Sequence, residues 1–85
     1  MTLSKHAQKR LQHRAISLDA VRLIFTHGSG VSSYGEELVY LEECMIHELA
    51  GSIELPISVS KLKKIYLIVD GNTVITVAYN TKNRK

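Results

Sequence analysis

Hydrophobic positions recur with a helical period in the first third of the chain and with a two-residue period in the last. Leu3, Ala7 and Leu11 fall every four residues and would line one side of a short helix over about 4–14. Ser4 stands where its hydroxyl can accept a hydrogen bond from an exposed N–H of the first turn. Ser17 offers a second cap after Ile16, and Asp19 places negative charge where the helix dipole favours it. Leu18, Val21, Ile24 and Phe25 then keep helical spacing, so a second helix is expected over about 18–26. Gly28 and Gly30 supply its stop and the following turn. Two short helices joined by a few residues need another layer to bury their apolar sides.

That layer begins at Val31. The run VSSYGEELVYL is rich in β-branched and aromatic residues, which predicts a strand or bent hairpin over about 31–41. Tyr34, Leu38 and Tyr40 would share a face, with Gly35 at a bulge or bend. Met45, Ile46, Leu49 and Ala50 fit a helical face, so a short helix is expected over 42–50, ended by Gly51. Ser52 to Ser60, holding the only proline at Pro56, reads as an extended connector. KKIYLIVD and TVITVAYN predict strands over about 64–70 and 73–80, joined tightly across Gly71 and Asn72. Ile65, Leu67 and Val69 alternate with Tyr66 and Ile68, leaving both faces apolar, which suits a central strand covered by helices on one side. The closing TKNRK is polar and expected to fray. The predicted fold is one α+β domain over 1–85: an N-terminal helical hairpin packed on a small antiparallel β-sheet that ends in a C-terminal β-hairpin.

Charge divides the chain in three. Residues 1–22 carry five Lys or Arg against one acid, and residues 61–85 carry six against one. Residues 23–60 hold six Glu and no Lys or Arg. If the two ends meet, they form a basic surface that would attract phosphate backbones; the competing reading is an ordinary solvated mixed-charge surface. No apolar run reaches the roughly 18–20 residues of a membrane-spanning helix, and Met1 to Ser4 is too short to open a signal peptide, so a cytoplasmic protein without membrane contact is expected. Cys44 is the only cysteine, which excludes an intrachain disulfide, and a lone cysteine most often packs as a small buried hydrophobe.

The first helix carries the candidate chemistry. His6, Arg10 and Arg14 lie at successive i, i+4 positions, so they project from one face about one turn apart. An imidazole titrates near neutrality and a guanidinium grips a phosphate in two-pronged fashion. Metal-independent RNA cleavage requires that combination: a group to move the proton of the 2′-hydroxyl or the leaving 5′-oxygen, and cations against the charge developing at phosphorus. The competing reading pairs Arg10 and Arg14 with the Glu-rich middle and leaves His6 to cap or pack. In the last strand Thr76 and Ala78 share one face and Val77 and Tyr79 the other. The Thr76 hydroxyl could bond a phosphate and Tyr79 stack on a base, with Lys9 and Asn80 as further substrate contacts. His13, His27 and His47 complete no zinc set, Cys44 lacks the setting of a nucleophile, and there is no P-loop or dinucleotide fingerprint. No metal or cofactor is expected.

The N-terminal SKHAQKRLQHRAIS, a following helix and glycine turn, and the terminal DGNTVITVAY together resemble the DUF4258 family of small bacterial and phage-associated domains, from Ser4 to Tyr79. His6, Arg10 and Arg14 match that family's His-x3-Arg-x3-Arg spacing, and Val74, Ile75 and Thr76 its Val-Ile-Thr. Ala15, Ile16 and Ser17 stand at its Gly-Ile-Ser, with Ala15 departing from glycine. Residues 42–60 fall in a segment too variable in such proteins to match. The resemblance implies a fold similar to the RelE-like and barnase-like ribonucleases, several of which are toxins of toxin–antitoxin or interbacterial systems. The reading is therefore a metal-independent, toxin-type ribonuclease-like domain: His6 as general acid or base, Arg10 and Arg14 on the scissile phosphate, Thr76 and Tyr79 positioning RNA, and an antitoxin as a further partner. Its rivals are a non-catalytic module of a phage or mobile element that binds RNA or a host protein, and a homodimer built by pairing a free strand edge.

Overall fold

A computed structural model describes residues 1–33 and 35–80. In it Ser4 fastens the start of the chain in three ways. Its backbone N–H donates to Val74 O (2.9 Å), its hydroxyl donates to Ile75 O (2.7 Å), and the same oxygen accepts from Ala7 N (3.0 Å), capping helix α1 (Lys5–Arg14). Just before it, strand β1 (Thr2–Leu3) pairs in parallel with Thr73 and Val74 of strand β5 (Thr73–Tyr79). Ser4→Ala removes the cap and leaves Ile75 O without its donor, so it is expected to cost about 2 kcal/mol, measurable by denaturant unfolding.

Helix α1 ends at Ala15, whose backbone is left-handed at φ 53°, ψ 41°. Ile16 N bonds Leu11 O at 3.0 Å and Ala15 N reaches Gln12 O, the six-residue closure that normally recruits glycine. A side chain in this conformation costs about 1–2 kcal/mol, part of which glycine returns as unfolded-state entropy. Ala15→Gly is therefore expected to stabilise the domain by about 0.5–1 kcal/mol and raise Tm by about 2–8 °C in a thermal melt. Ser17 then caps helix α2 (Leu18–His27) by accepting from Ala20 N at 3.1 Å.

Gly28 closes α2 and leads into strand β2 (Ser29–Ser33). A Cβ there would meet Ile24 O, Tyr40 O at 2.8 Å and Val39 Cγ1 at 2.8 Å, so the close passage of α2's end over the sheet requires glycine. Strand β3 (Glu36–Tyr40) returns antiparallel to β2 across a bend at Gly35, the bent-hairpin form of the expected strand region. Tyr34 lies outside the described residues, as do residues 81–85 with the basic tail. Helix α3 (Glu43–Ala50) occupies the expected stretch. The end of the supposed connector leads into a four-residue helix, α4 (Val59–Leu62), capped by the Ser58 hydroxyl. Strand β4 (Ile65–Asp70) and β5 then form the expected hairpin, with Gly71 at φ 61° in its turn.

The sheet runs β1-β5-β4-β3-β2, antiparallel except for β1, and the bulge between Ile68/Thr76 and Val69/Val74 leaves Ile75 unpaired on β5. One face is covered. Ala7, Ile16, Ala20, Val21, Ile24, Ile46 and Leu62 from the helical side pack with Val39, Ile65, Leu67, Val69, Val74 and Val77 in a single cluster. Leu38, Tyr40, Tyr66, Ile68 and Thr76 point the other way, outside that cluster. The N-terminal hairpin thus packs on an α+β sheet, with β4 central and half covered.

Candidate nucleic-acid interface

The outer edge of β5 is met, carbonyl by carbonyl, by the N-terminal segment. Asn72 O accepts from Thr2 N (2.9 Å), Val74 O from Ser4 N, Ile75 O from the Ser4 hydroxyl, and Val77 O from Arg10 Nε at 3.3 Å. These bonds explain why β1 can be so short: once α1 begins, side chains continue capping the edge. They also set α1, with its basic residues, alongside β5. His6 stands on α1 between Ser4 and Arg10, and Thr76 stands on β5 between the carbonyls those two residues bond.

Within this edge the candidate residues differ in how they are held. Arg10 is half-buried and tied through Nε, which leaves its two terminal nitrogens for an anion. His6, Lys9 and Arg14 are exposed on α1. Among the described residues neither Arg10 nor Arg14 pairs with a carboxylate; the ion pairs run from Glu43 to His47 (3.8 Å) and to Lys63 (4.0 Å), both well exposed. The pairing of the helix arginines with the Glu-rich middle therefore does not occur there. Thr76 is half-buried and faces the open side of the sheet, opposite Ile68.

Tyr79 is placed differently from the role expected of it. It pairs across the strands with Ile65 and packs against the core cluster, so its ring belongs to the covered face while Thr76 and Asn80 lie on the other. Cys44 is exposed rather than buried, its thiol 3.8 Å from Glu42 Oε1, because it falls on the outer side of α3 while Ile46 takes the core. Among the described residues no three His, Cys, Asp or Glu side chains converge as a metal cluster, and no helix is long and apolar enough to cross a membrane.

Residues that the strand pattern alone does not bring together meet on the open face. Tyr40 and Tyr66 are direct cross-strand partners, and with Leu38, Lys63, Lys64 and Asn80 they line an open cleft of about 510 Å³. Alternation marks each strand's two faces, but the register that sets Tyr40 beside Tyr66 spans a separation no local pattern encodes. Compared with family models, curated proteins and solved structures, the chain finds no match.

Proposed function

We propose that the protein is a metal-independent, toxin-type ribonuclease-like domain that binds RNA along the α1–β5 edge, as its resemblance to the DUF4258 pattern implies. One observation carries the reading: Arg10 is fastened to Val77 O, which sets the His6, Arg10 and Arg14 stripe alongside the strand that bears Thr76. Residues more than sixty positions apart in sequence thereby share one edge. Ala15 adds support, since its left-handed backbone gives a physical reason for the glycine the resembling family carries there.

In this mechanism the free nitrogens of Arg10 and the guanidinium of Arg14 hold the non-bridging oxygens of the scissile phosphate. His6 moves one proton, taking it from the 2′-hydroxyl or giving it to the departing 5′-oxygen, and solvent completes the other transfer. The 2′-oxygen forms a bond to phosphorus as the bond to the 5′-oxygen breaks, leaving a 2′,3′-cyclic phosphate and a free 5′-hydroxyl. Thr76 donates its hydroxyl to the bound strand. Such a domain would act in the cytoplasm, and a toxin of this kind would be held in check by an antitoxin covering the same edge.

The test is incubation of the purified protein with total RNA in EDTA near neutral pH, followed by mapping of new ends. New 2′,3′-cyclic phosphate ends are expected. Intact RNA at every protein concentration would remove the catalytic reading and leave the edge as a binding surface.

A further inference from the structure

The face of the sheet away from the helices carries a second, differently composed surface. The alternation sets Tyr66 and Ile68 of β4 and Thr76 and Ala78 of β5 on this side, with Lys64 just before β4 and Asn80 just beyond β5 lining the same cleft. Tyr40 and Leu38 extend it onto β3. Tyr66 sits directly between two partners, Tyr40 on one side and Ala78 on the other. Opposed Cβ atoms on one face lie about 4.5–5.5 Å apart, so two phenol rings stand side by side with a methyl group for a neighbour. Both rings are half-exposed, and neither belongs to the hydrophobic core.

The rim is cationic. Lys63 and Lys64 line the cleft with Asn80, whose backbone N–H is held by Lys64 O at 2.6 Å. Lys63 lies 4.0 Å from Glu43 in an exposed pair, an interaction weak enough to yield to a phosphate. Lys64 makes no ion pair among the described residues. A pair of adjacent aromatic rings, an amide able to donate and accept, and two ammonium groups make the equipment that single-stranded nucleic acids are bound with: bases stack on the rings and phosphates meet the cations. An acidic peptide would satisfy the lysines but would leave the paired ring faces without a planar partner.

We propose that this open sheet face is a single-stranded RNA track on which Tyr40 and Tyr66 stack unpaired bases, Lys63 and Lys64 hold the flanking phosphates, and Asn80 bonds a base edge. The inference deepens the ribonuclease reading and rests on it for the direction of the strand. Thr76 lies on the same face as Asn80, four residues or about 13 Å along β5, so a strand stacked at the tyrosines continues to the edge where His6 and Arg10 stand. The base-stacking role thus passes from Tyr79, on the covered face, to Tyr40 and Tyr66.

The experiment measures binding of a fluorescent single-stranded oligouridine, 2′-O-methylated throughout so that it cannot be cut, by anisotropy at low salt. The wild type should bind it, and the Tyr40→Ala, Tyr66→Ala double variant should bind about ten- to a hundredfold more weakly, while Tyr66→Phe, which keeps the ring, stays near wild type. Lys64→Ala should lower the salt dependence of binding by about one counterion. A folded double variant that binds within about twofold of wild type overturns the track; so does a wild type that fails to bind, or one whose open face instead mediates dimerisation that the double variant loses. The two readings fail separately. Binding that depends on the tyrosines without any cleavage of natural RNA refutes the catalysis and keeps the track, whereas cleavage unaffected by the double variant refutes the track and keeps the catalysis.

Discussion

His6→Ala is expected to lower the rate of RNA cleavage by about a hundred- to ten-thousandfold, the range over which a positioned proton-transfer group contributes. That loss corresponds to about 3–5 kcal/mol of transition-state stabilisation. His6 is exposed on α1 and its imidazole makes no hydrogen bond among the described residues, so its removal should leave the melting temperature unchanged. Stability and activity are thereby separated at this position. At Arg10 they are not: Arg10→Ala removes the bond to Val77 O together with the phosphate grip proposed for it, and Arg10→Lys cannot supply a planar two-pronged contact. The comparison is made with initial rates in EDTA at matched protein concentration. A His6→Ala protein that cuts within about tenfold of wild type would show that the imidazole transfers no proton in the slow step.

The parts of this architecture legible in the sequence are those written locally. Ser4 and Ser17 announce two helix starts because a cap and the N–H it serves lie within three residues. The Gly71–Asn72 turn announces the last hairpin for the same reason. β1 carries no such mark: two residues have no period, and their partners Thr73 and Val74 lie at the far end of the chain. The Ile75 bulge is likewise set by how β5 meets both β4 and Ser4, not by the residues around it. The candidate site divides along the same line. Spacing alone puts His6, Arg10 and Arg14 on one helix face, but that Arg10 spends its Nε on Val77 O, and that Tyr40 stands beside Tyr66, follows only from tertiary register. Tyr79 illustrates the limit: alternation separates it from Thr76, yet which of the two faces the helices cover is decided elsewhere in the chain.

Leu67→Ala should be among the most damaging single truncations in the domain. Leu67 is fully buried at the centre of β4, between Val39 and Val77 on the covered face. Removing its isopropyl group forfeits the transfer energy of the lost carbons and leaves a cavity that a sheet hydrogen-bonded on both sides cannot collapse around, which is expected to cost about 3–4 kcal/mol. A domain of this length holds only about 5–10 kcal/mol of net stability, so the variant should melt about 12–30 °C below wild type. Its neighbour on the other face supplies the control. Ile68 is half-buried, pairs with Leu38 and Thr76, and stands outside the core, so Ile68→Ala should cost about 1 kcal/mol. Denaturant unfolding of the two variants side by side reads the difference between the faces directly. Equal losses would mean that both sides of β4 are covered, and an RNA strand would then have no open sheet face to lie on; a large gap between them is what an open track beside a single core requires.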